Sequence, residues 1–404
     1  MTDIATAHRD LRTGRTLWED GPQPRVAMRE PQGRIETDVL IVGAGLTGAI
    51  IADTLSEAGL KVALVDRRKP LAGSATATTA LIQFELDTPL LHLGRQIGDH
   101  DAQRVWLRSK RAVEALTRRA EGIDCEWCDR SSLYLSGNVL SGRALRDECD
   151  AREDIGLPAT FKNGNALLEH YDIEADAAIR SSGNAECNPV MLGSGLLQRA
   201  MSRGAAIYGP VEIDGITEDR EGATASSKGD TDFHARAIVY ATGYEMPDIV
   251  PKQDKAVVST WAIATAPQPG KLWPSRAMVW EASDPYLYVR TTQDGRVIAG
   301  GEDEDFSDEK KRDALIPQKT AAIEDKLRRL FPHLDVEADY AWAGSFGTSD
   351  TGMPSIGLIP GKTHSYAVLG FGGNGITFAM ISAEIIRGAL VGKPDPDAPL
   401  FAFR

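Results

Sequence analysis

The chain has 404 residues, and its 45 lysines and arginines against 58 aspartates and glutamates give a formal net charge of −13. That length favours two or three structural units over one. Hydrophobic residues make up 42% and charged residues 25%, which is typical of globular proteins and excludes a disordered or fibrous chain. The acidic balance argues against nucleic acid or an anionic membrane surface as the main partner.

The first 36 residues are polar and contain no apolar run of the length that a secretory signal needs. Four cysteines are too few for a disulfide framework, and no stretch approaches the roughly 18 unbroken apolar residues of a membrane helix. We therefore predict a cytoplasmic protein without integral membrane contact, in which residues 1–36 form an arm over a larger body.

A βαβ unit follows the arm. The apolar, β-branched run over 37–43 predicts a buried parallel strand, 49–59 predicts a helix that ends at a glycine, and 61–66 predicts a second strand. Strand, glycine turn, helix and strand follow one another within about 30 residues, as in a nucleotide-binding unit.

The turn of this unit, Gly43-Ala-Gly45-Leu-Thr-Gly48, matches G-x-G-x-x-G in its required context between strand and helix. Gly43 would permit the tight turn, Gly45 would let a pyrophosphate approach the backbone, and Gly48 would let helix and strand pack closely. The phosphates would lie on the free N–H groups at the helix N-terminus.

Asp66 ends the second strand, where its carboxylate can accept hydrogen bonds from ribose hydroxyls. The adjacent Arg67 and Arg68 leave open whether the bound dinucleotide carries a 2′-phosphate on this ribose. The turn and the acid together predict a dinucleotide, but they do not distinguish FAD from NAD.

Two further segments favour a flavin. The loop 73–80 is rich in small hydroxyl residues, which suits a diphosphate and the edge of a flavin ring. The turn 370–375 has four glycines and opens the last helix, whose positive end would stabilise the negative charge of a reduced flavin. The predicted cofactor contacts in the turns and loops so far are Gly43, Gly45, Leu46, Thr47, Gly48, Asp66, Arg67, Ser74, Thr76, Thr78, Thr79, Ala80, Gly372, Gly373, Asn374, Gly375, Ile376 and Thr377.

The rest of the chain predicts a second, different architecture. Residues 99–121 form an amphipathic helical pattern, and four alternating segments between 257 and 300 predict an antiparallel sheet. Further helices are predicted over 313–330 and 376–390.

The fold class is therefore α/β, or α+β overall, with a Rossmann-like domain built from separated segments and a substrate domain with a largely antiparallel sheet. We assign 37–85, 188–250 and 340–404 to the first domain, and 86–187 and 251–339 to the second.

From about residue 37 to 393, the chain resembles the superfamily of D-amino-acid oxidase, glycine oxidase and sarcosine oxidase. Residues 86–187 carry little of this resemblance. It rests on six segments in a fixed order: the turn Gly43–Gly48 with Asp66, the loop Gly73–Ala80, Ala241–Gly243, Tyr288–Gly301, Trp342–Gly357 and Gly370–Thr377.

The resemblance implies FAD-dependent oxidation of a C–N bond of an amine or amino acid, by hydride transfer to flavin N5, to an imine that water hydrolyses. It adds Thr242, Gly243 and Gly344 to the cofactor contacts and places Ile213, with Val211 as its rival, at the adenine. The loop 73–80 has no histidine or cysteine, which favours non-covalent FAD.

Two departures from the family pattern bear on the reaction. Phe346 stands where glycine oxidases carry the arginine that binds the substrate carboxylate, and an aromatic ring cannot replace a bidentate arginine. This favours amines, or acids bound by another group such as Arg290. The strand predicted over 256–264 has no oxygen-activating lysine, although Lys255 precedes it, so the electron acceptor is oxygen or another carrier.

The predicted substrate contacts are Tyr288, Phe346, Glu281 and Gln83, with Tyr286 and Trp342 as further aromatic candidates. Core packing or a solvated role is the alternative for each residue alone.

No metal is predicted, since Cys125-x-x-Cys128 lacks a second pair. An NAD(P)-dependent dehydrogenase and a flavin-binding subunit or scaffold are the alternative functions, and the small-molecule substrate and oligomeric state stay open.

Overall fold

The computed structural model describes residues 2–3, 8–229, 231–251 and 257–403, with side chains from residue 8 onward. Its described strands form two sheets, of nine and ten strands. The nine-stranded sheet contains β1 (Thr2–Asp3), β3 (Arg34–Val42), β4 (Val62–Val65), β9 (Ala206–Tyr208), β10 (Ile213–Glu218), β11 (Ala223–Ser227), β12 (Asp232–Tyr240), β18 (Ser355–Leu358) and β19 (Ser365–Leu369).

The ten-stranded sheet contains β2 (Arg12–Gly14), β5 (Leu81–Ile82), β6 (Cys128–Leu135), β7 (Ala159–Asn163), β8 (Ala177–Glu186), β13 (Val257–Thr265), β14 (Met278–Glu281), β15 (Leu287–Thr291), β16 (Val297–Glu304) and β17 (Ala338–Gly347). The α-helices are α1 (Leu17–Asp20), α2 (Leu46–Glu57), α3 (Leu90–Ile97), α4 (Asp99–Ala120), α5 (Gly142–Asp154), α6 (Gly164–Tyr171), α7 (Pro189–Ser202), α8 (Glu309–Ala314), α9 (Ile316–Leu330) and α10 (Gly375–Leu390).

The predicted βαβ unit is confirmed as β3, α2 and β4. The two strands are parallel, with Val39 opposite Val62 and Val42 opposite Val65, and β12 lies parallel to β3 on its other side. Helix α2 begins at Leu46, three residues before the predicted start, because Gly45 is its N-cap. Helices α7 and α10 pack against α2 and bury a large apolar core.

The predicted antiparallel sheet is also confirmed. The four alternating segments form β13 to β16, and the paired strands of this sheet are antiparallel except for β14 with β6. Helix α9 packs on it over a second core. The single helix predicted over 313–330 is instead two helices that meet at Leu315, since Pro317 in the first turn of α9 has no N–H for a continuing helix.

The predicted N-terminal arm contributes a strand to the ten-stranded sheet and two buried side chains. Its strand β2 pairs with β17, and the side chains of Leu11 and Trp18 are buried. The predicted domain boundaries at 85 and 340 also do not coincide with the sheets, because β5 and all of β17 belong to the ten-stranded sheet. The division into two domains stays a prediction. Within the described ranges, no helix is long and apolar enough to cross a membrane.

Candidate active-site cleft

One continuous cleft runs between the two sheets. The ends of β3 and β4, the loop 73–80 and the start of α10 line one part of it, and side chains of β13, β15 and β17 line another. The carboxyl ends of parallel strands are where open α/β sheets bind their ligands. Most of the predicted site residues therefore share one cavity, although they are far apart in the sequence.

The glycine turn has the shape that a pyrophosphate requires. Gly43 has φ +113°, and a Cβ there would overlap the Ala241 carbonyl oxygen, whereas a Cβ at Gly48 would overlap the Gly43 carbonyl oxygen. A Cβ at Gly45 would meet nothing within 4 Å and would project at the cleft wall. The first turn of α2 has neither a side-chain cap nor an acidic residue, so its N–H groups can receive an anion. The turn fits a dinucleotide.

Asp66 fastens this turn to the end of β4. Its Oδ2 accepts a hydrogen bond from the Ala44 N–H at 2.7 Å, and its Oδ1 accepts one from the Arg68 N–H at 2.7 Å. Burial raises the pKa of Asp66, and the two N–H groups oppose that rise. Because each carboxylate oxygen has a second lone pair, Asp66 can still accept from a ribose.

The two arginines beside Asp66 are paired with Glu245, which the sequence analysis missed. Arg67 lies 2.5 Å from the Glu245 carboxylate, and Arg68 contacts it at 2.6 and 2.8 Å. Burial acts to raise the pKa of Glu245, but the Arg68 bonds, the Arg9 N–H and the Arg67 charge outweigh it, so the pKa lies below its ordinary value. These arginines are thus engaged by a carboxylate, which does not favour the 2′-phosphate left open by the sequence.

The loop 73–80 is held from both sides. Trp18 of the arm donates through Nε1 to the Thr78 carbonyl at 2.7 Å, and Trp342 of β17 donates to the Ala77 carbonyl at 2.9 Å. Trp342 is thus a buried support for the loop and does not line the cleft. Of the predicted loop contacts, Ser74, Thr78 and Thr79 line the cleft, whereas Thr76 and Ala80 are buried beneath it.

The start of α10 forms a second wall of the cleft. Asn374 donates through Nδ2 to the Glu85 carbonyl at 2.8 Å, and Thr377 donates to the Gln83 carbonyl at 2.8 Å. Thr377 therefore anchors the 83–85 segment from below, as Gly48 supports the first turn, and neither lines the cleft. The predicted cofactor contacts that do line it are Gly43, Gly45, Leu46, Thr47, Asp66, Arg67, Ser74, Thr78, Thr79, Ile213, Thr242, Gly243, Gly344, Gly372, Gly373, Asn374, Gly375 and Ile376, together with the rival Val211.

The substrate candidates separate into two groups. Tyr288, Phe346 and Gln83 line the cleft. Glu281 does not, because its Oε2 accepts the Leu287 N–H at 3.0 Å and ties β14 to β15. Its neighbour Trp280 faces the cleft instead and stacks on Tyr134 with ring centroids 3.8 Å apart.

A hydrogen-bonded group at this end was not predicted in full. Tyr286, a further aromatic candidate, donates through its hydroxyl to Asp303 Oδ2 at 2.5 Å. Thr260 hydrogen-bonds to Asp303 and to the Tyr288 hydroxyl. Burial raises the pKa of Asp303 to about 6, the charge of the nearby Asp87 adds to the rise, and Lys319 opposes it.

The sequence carried one signal for this group. Tyr288 lies opposite Gly300 in the sheet, and a Cβ at Gly300 would overlap the Tyr288 ring. The Gly300-Gly301 pair thus makes room for an aromatic ring over β16. Asp303 follows it by two residues, but only the strand register places that carboxylate beside Tyr286.

Arg290, the alternative group for an acidic substrate, lies elsewhere. Its guanidinium is buried, donates to the Cys187 carbonyl at 3.0 Å and lies 3.7 Å from Glu186. It is not among the residues that line the cleft. Lys255 lies outside the described residues. In the described part of the chain, no three His, Cys, Asp or Glu side chains are grouped so that they could hold a metal ion.

Residues 38–388 match the sequence profile of the family described as FAD dependent oxidoreductase. The chain belongs to this family. The cofactor is therefore FAD, the resemblance drawn from the six segments is confirmed, and the match does not support NAD(P) as the cofactor. The chain is therefore an FAD-dependent oxidoreductase.

The relatives of this oxidoreductase are distant. The bifunctional protein MnmC of Burkholderia pseudomallei, named for tRNA 5-methylaminomethyl-2-thiouridine biosynthesis, is 24% identical over 420 residues that span 94% of this chain. The chain covers 60% of the length of MnmC, and 34% of another curated relative, YhfW of Bacillus subtilis.

Two solved structures share the fold. Glycine oxidase from Geobacillus kaustophilus has a TM-score of 0.73 at 20% identity and covers 92% of this chain and 99% of its own. L-proline dehydrogenase from P. horikoshii has a TM-score of 0.75 at 17% identity and covers 90% and 95%.

Proposed function

We propose that the protein oxidises a C–N bond of a small amine or amino acid to an imine, which water then hydrolyses. One observation carries this proposal: the cleft that begins at the glycine turn of α2 continues without interruption to Tyr286, Tyr288 and Phe346. A dinucleotide on the turn would extend towards these rings, where a substrate can lie against its reactive end.

The residues that would hold FAD follow from the cleft. The turn 43–47 would hold the pyrophosphate, Asp66 the ribose, and Ile213 or Val211 the adenine, while the loop 73–80 and the start of α10 would hold the ring. Among the described residues that line the cleft there is no histidine or cysteine, which supports non-covalent binding.

Bound FAD supplies a two-electron acceptor for the hydride that leaves the carbon next to the substrate nitrogen. The chain itself positions the substrate between aromatic walls, and positioning can supply much of the rate enhancement. An ammonium substrate must also lose a proton. Tyr286 Oη can accept it while passing its own proton to Asp303 Oδ2, to which it is already hydrogen-bonded.

The names of the relatives agree with C–N chemistry. Glycine oxidase and L-proline dehydrogenase are named for amino acids, and MnmC is named for an aminomethyl modification of tRNA. The net charge of −13 favours a small molecule over tRNA for this chain. Oxygen or another carrier as the acceptor, and a cytoplasmic location, stay predictions.

The test is anaerobic reduction of the FAD-loaded protein. Primary amines, secondary amines and α-amino acids are each compared with the alcohol of the same carbon skeleton, while the visible flavin absorbance is followed. We expect bleaching by at least one nitrogen compound and none by the matched alcohols. If dithionite bleaches the flavin but no nitrogen compound does, the proposal is contradicted and a flavin-binding subunit is favoured. Bleaching by the alcohols would indicate that the enzyme oxidises a C–O bond instead.

A further inference from the structure

The charge at the substrate end of the cleft bears on what can bind there. Asp87, which the sequence analysis missed, lines the cleft and is exposed within it. Its Oδ2 accepts the Gly373 N–H at 2.8 Å, which directs the carboxylate to the start of α10. Asp303 lies close enough for the two charges to influence each other. Asp87 thus faces this end of the cavity, and Asp303 lies behind its wall, hydrogen-bonded to the lining residue Tyr286.

No positive side chain balances them among the described residues that line the cleft there. The arginines that line it, Arg67 and Arg68, are at the dinucleotide end and contact Glu245. Lys319, whose charge acts on Asp303, contacts Glu304 at 2.8 Å and donates to the Glu302 carbonyl at 2.9 Å. A substrate carboxylate would therefore approach two like charges without an opposite charge to offset them.

Four aromatic rings line the same end of the cleft: Trp280, Tyr286, Tyr288 and Phe346. Tyr286 and Tyr288 have ring centroids 5.8 Å apart. Aromatic faces attract alkylammonium groups by about 0.5–2 kcal/mol, and several rings around one site are a common arrangement for binding alkylated ammonium ions. The rings thus point to the same ligand charge as the carboxylates.

A buried acceptor at the start of α10, the segment that would hold the flavin ring, has no partner. The Asn374 side chain is 7% exposed, lines the cleft, and has an Oδ1 without a hydrogen-bond partner. The bond from its Nδ2 to the Glu85 carbonyl fixes the amide, so Oδ1 is the atom left for a ligand N–H. A buried acceptor of this kind is costly unless a ligand donates to it.

We propose that Asp87 and the Tyr286–Asp303 pair select a cationic amine that has no carboxylate beside the reacting nitrogen, so that alkylamines rather than α-amino acids are the substrate class. This narrows the proposed C–N oxidation and rests on it. The neutral donors Trp280 Nε1 and Gln83 Nε2, which also lack partners, are the groups that could bind a carboxylate instead. A binding experiment separates the two cases.

The experiment uses three probes with the same ring on the FAD-loaded protein at constant ionic strength. Benzyltrimethylammonium is the cation, benzyl alcohol the neutral compound and benzoate the anion, and each dissociation constant comes from the change in the flavin spectrum. We expect the cation to bind about ten-fold more tightly than the alcohol, and benzoate most weakly. Tighter binding of benzoate than of the cation would overturn the proposal.

Variants locate the selectivity. Asp87→Asn should weaken cation binding about ten-fold and leave alcohol binding within two-fold, and Asp303→Asn should act in the same direction. Asp305→Asn, an exposed aspartate outside the cleft, is the matched control. Phe346→Arg should increase the affinity for benzoate. Unchanged cation binding in both Asp87→Asn and Asp303→Asn would overturn the proposal.

The probes report on binding without the proposed turnover. The quaternary nitrogen of the cation has no lone pair with which to form an imine, and the alcohol and benzoate have no C–N bond to oxidise. Preference for the cation in a protein that no amine reduces would contradict the proposed oxidation but leave the charge selectivity intact. Amine oxidation in a protein that prefers benzoate would contradict the charge selectivity but leave the proposed oxidation intact.

Discussion

The two ends of the cleft are built in different ways. The dinucleotide end comes mainly from one βαβ unit, in which β3, the glycine turn, α2, β4 and Asp66 lie within 33 residues, from Arg34 to Asp66. At the substrate end, Asp87 lies in a loop, Thr260 in β13 and Asp303 in β16. Tyr288 lies in β15, and Tyr286 directly precedes that strand. The first end is local in sequence, whereas the second exists only after distant strands have paired.

A larger side chain in the glycine turn should prevent FAD binding at the dinucleotide end. Gly45→Val should abolish retention of FAD, because the new side chain would occupy open space at the cleft wall without a clash that prevents folding. FAD content after gel filtration, together with the circular dichroism spectrum, checks this. Gly270→Val, at an exposed glycine that also has open space, should keep its FAD. A folded Gly45→Val protein with full FAD would place the pyrophosphate elsewhere.

Helix α2, which begins at the glycine turn, is held in place by ion pairs of Asp53. Asp53 is fully buried and contacts Arg119, Arg199 and Arg203. Asp53→Asn should lower the free energy of unfolding in urea by about 1–3 kcal/mol, since three partly exposed guanidinium groups lose their charge-assisted hydrogen bonds to a buried carboxylate. Glu57→Gln, at the half-exposed neighbour in the same network, should cost about 0.5 kcal/mol or less.

This contribution also has a defined pH dependence. Burial acts to raise the pKa of Asp53, but the arginines outweigh it, so the folded pKa lies below the ordinary value. The stabilisation is therefore fully present above about pH 4 and is lost as the pH falls further towards the lowered pKa. Equal stability of Asp53→Asn and the native protein at neutral pH would contradict this account.

The substrate end can be tested by its ionisation. Asp303 can take a proton only when it is ionised, so the anaerobic rate of flavin reduction should fall as the pH drops below its pKa of about 6. Below that point we expect a decrease of about ten-fold per pH unit. Asp303→Asn should lose this limb of the profile, whereas Asp305→Asn should keep it. The same limb in Asp303→Asn would assign the ionisation to another group.

The arm supports the loop 73–80, and weakening this support gives the smallest expected effect. Trp18→Phe removes the hydrogen bond to the Thr78 carbonyl while keeping an aromatic ring. The loss of about 1 kcal/mol should raise the dissociation rate of FAD about five-fold, measured by the change in flavin fluorescence on release. Trp127→Phe, whose indole bonds to an aspartate two residues away, should leave the rate unchanged.

What could be predicted from the sequence follows this same division. Gly43, Gly48 and Asp66 were predicted because their roles depend on spacing within one short segment. Thr76, Ala80 and Thr377 were placed in the right segments, but whether a side chain faces a cleft or the core below it depends on packing that local pattern does not specify.

The substrate end was predicted less completely. Tyr288 and Phe346 could be proposed because the family resemblance and strand alternation point to them. Asp87 and Asp303 were missed, because their proximity depends on the path of the 83–87 segment and on the register of β15 with β16. Glu281 was proposed from its sequence neighbours, but alternation along β14 puts Trp280 in the cleft.

A crystal structure of the protein with FAD tests the central claim most directly, namely that one FAD molecule spans both ends of this cleft. The account predicts the pyrophosphate on the turn 43–47 and the flavin ring between the start of α10 and Tyr288. A flavin ring bound away from Tyr288 and Phe346, or a pyrophosphate away from the glycine turn, would contradict it.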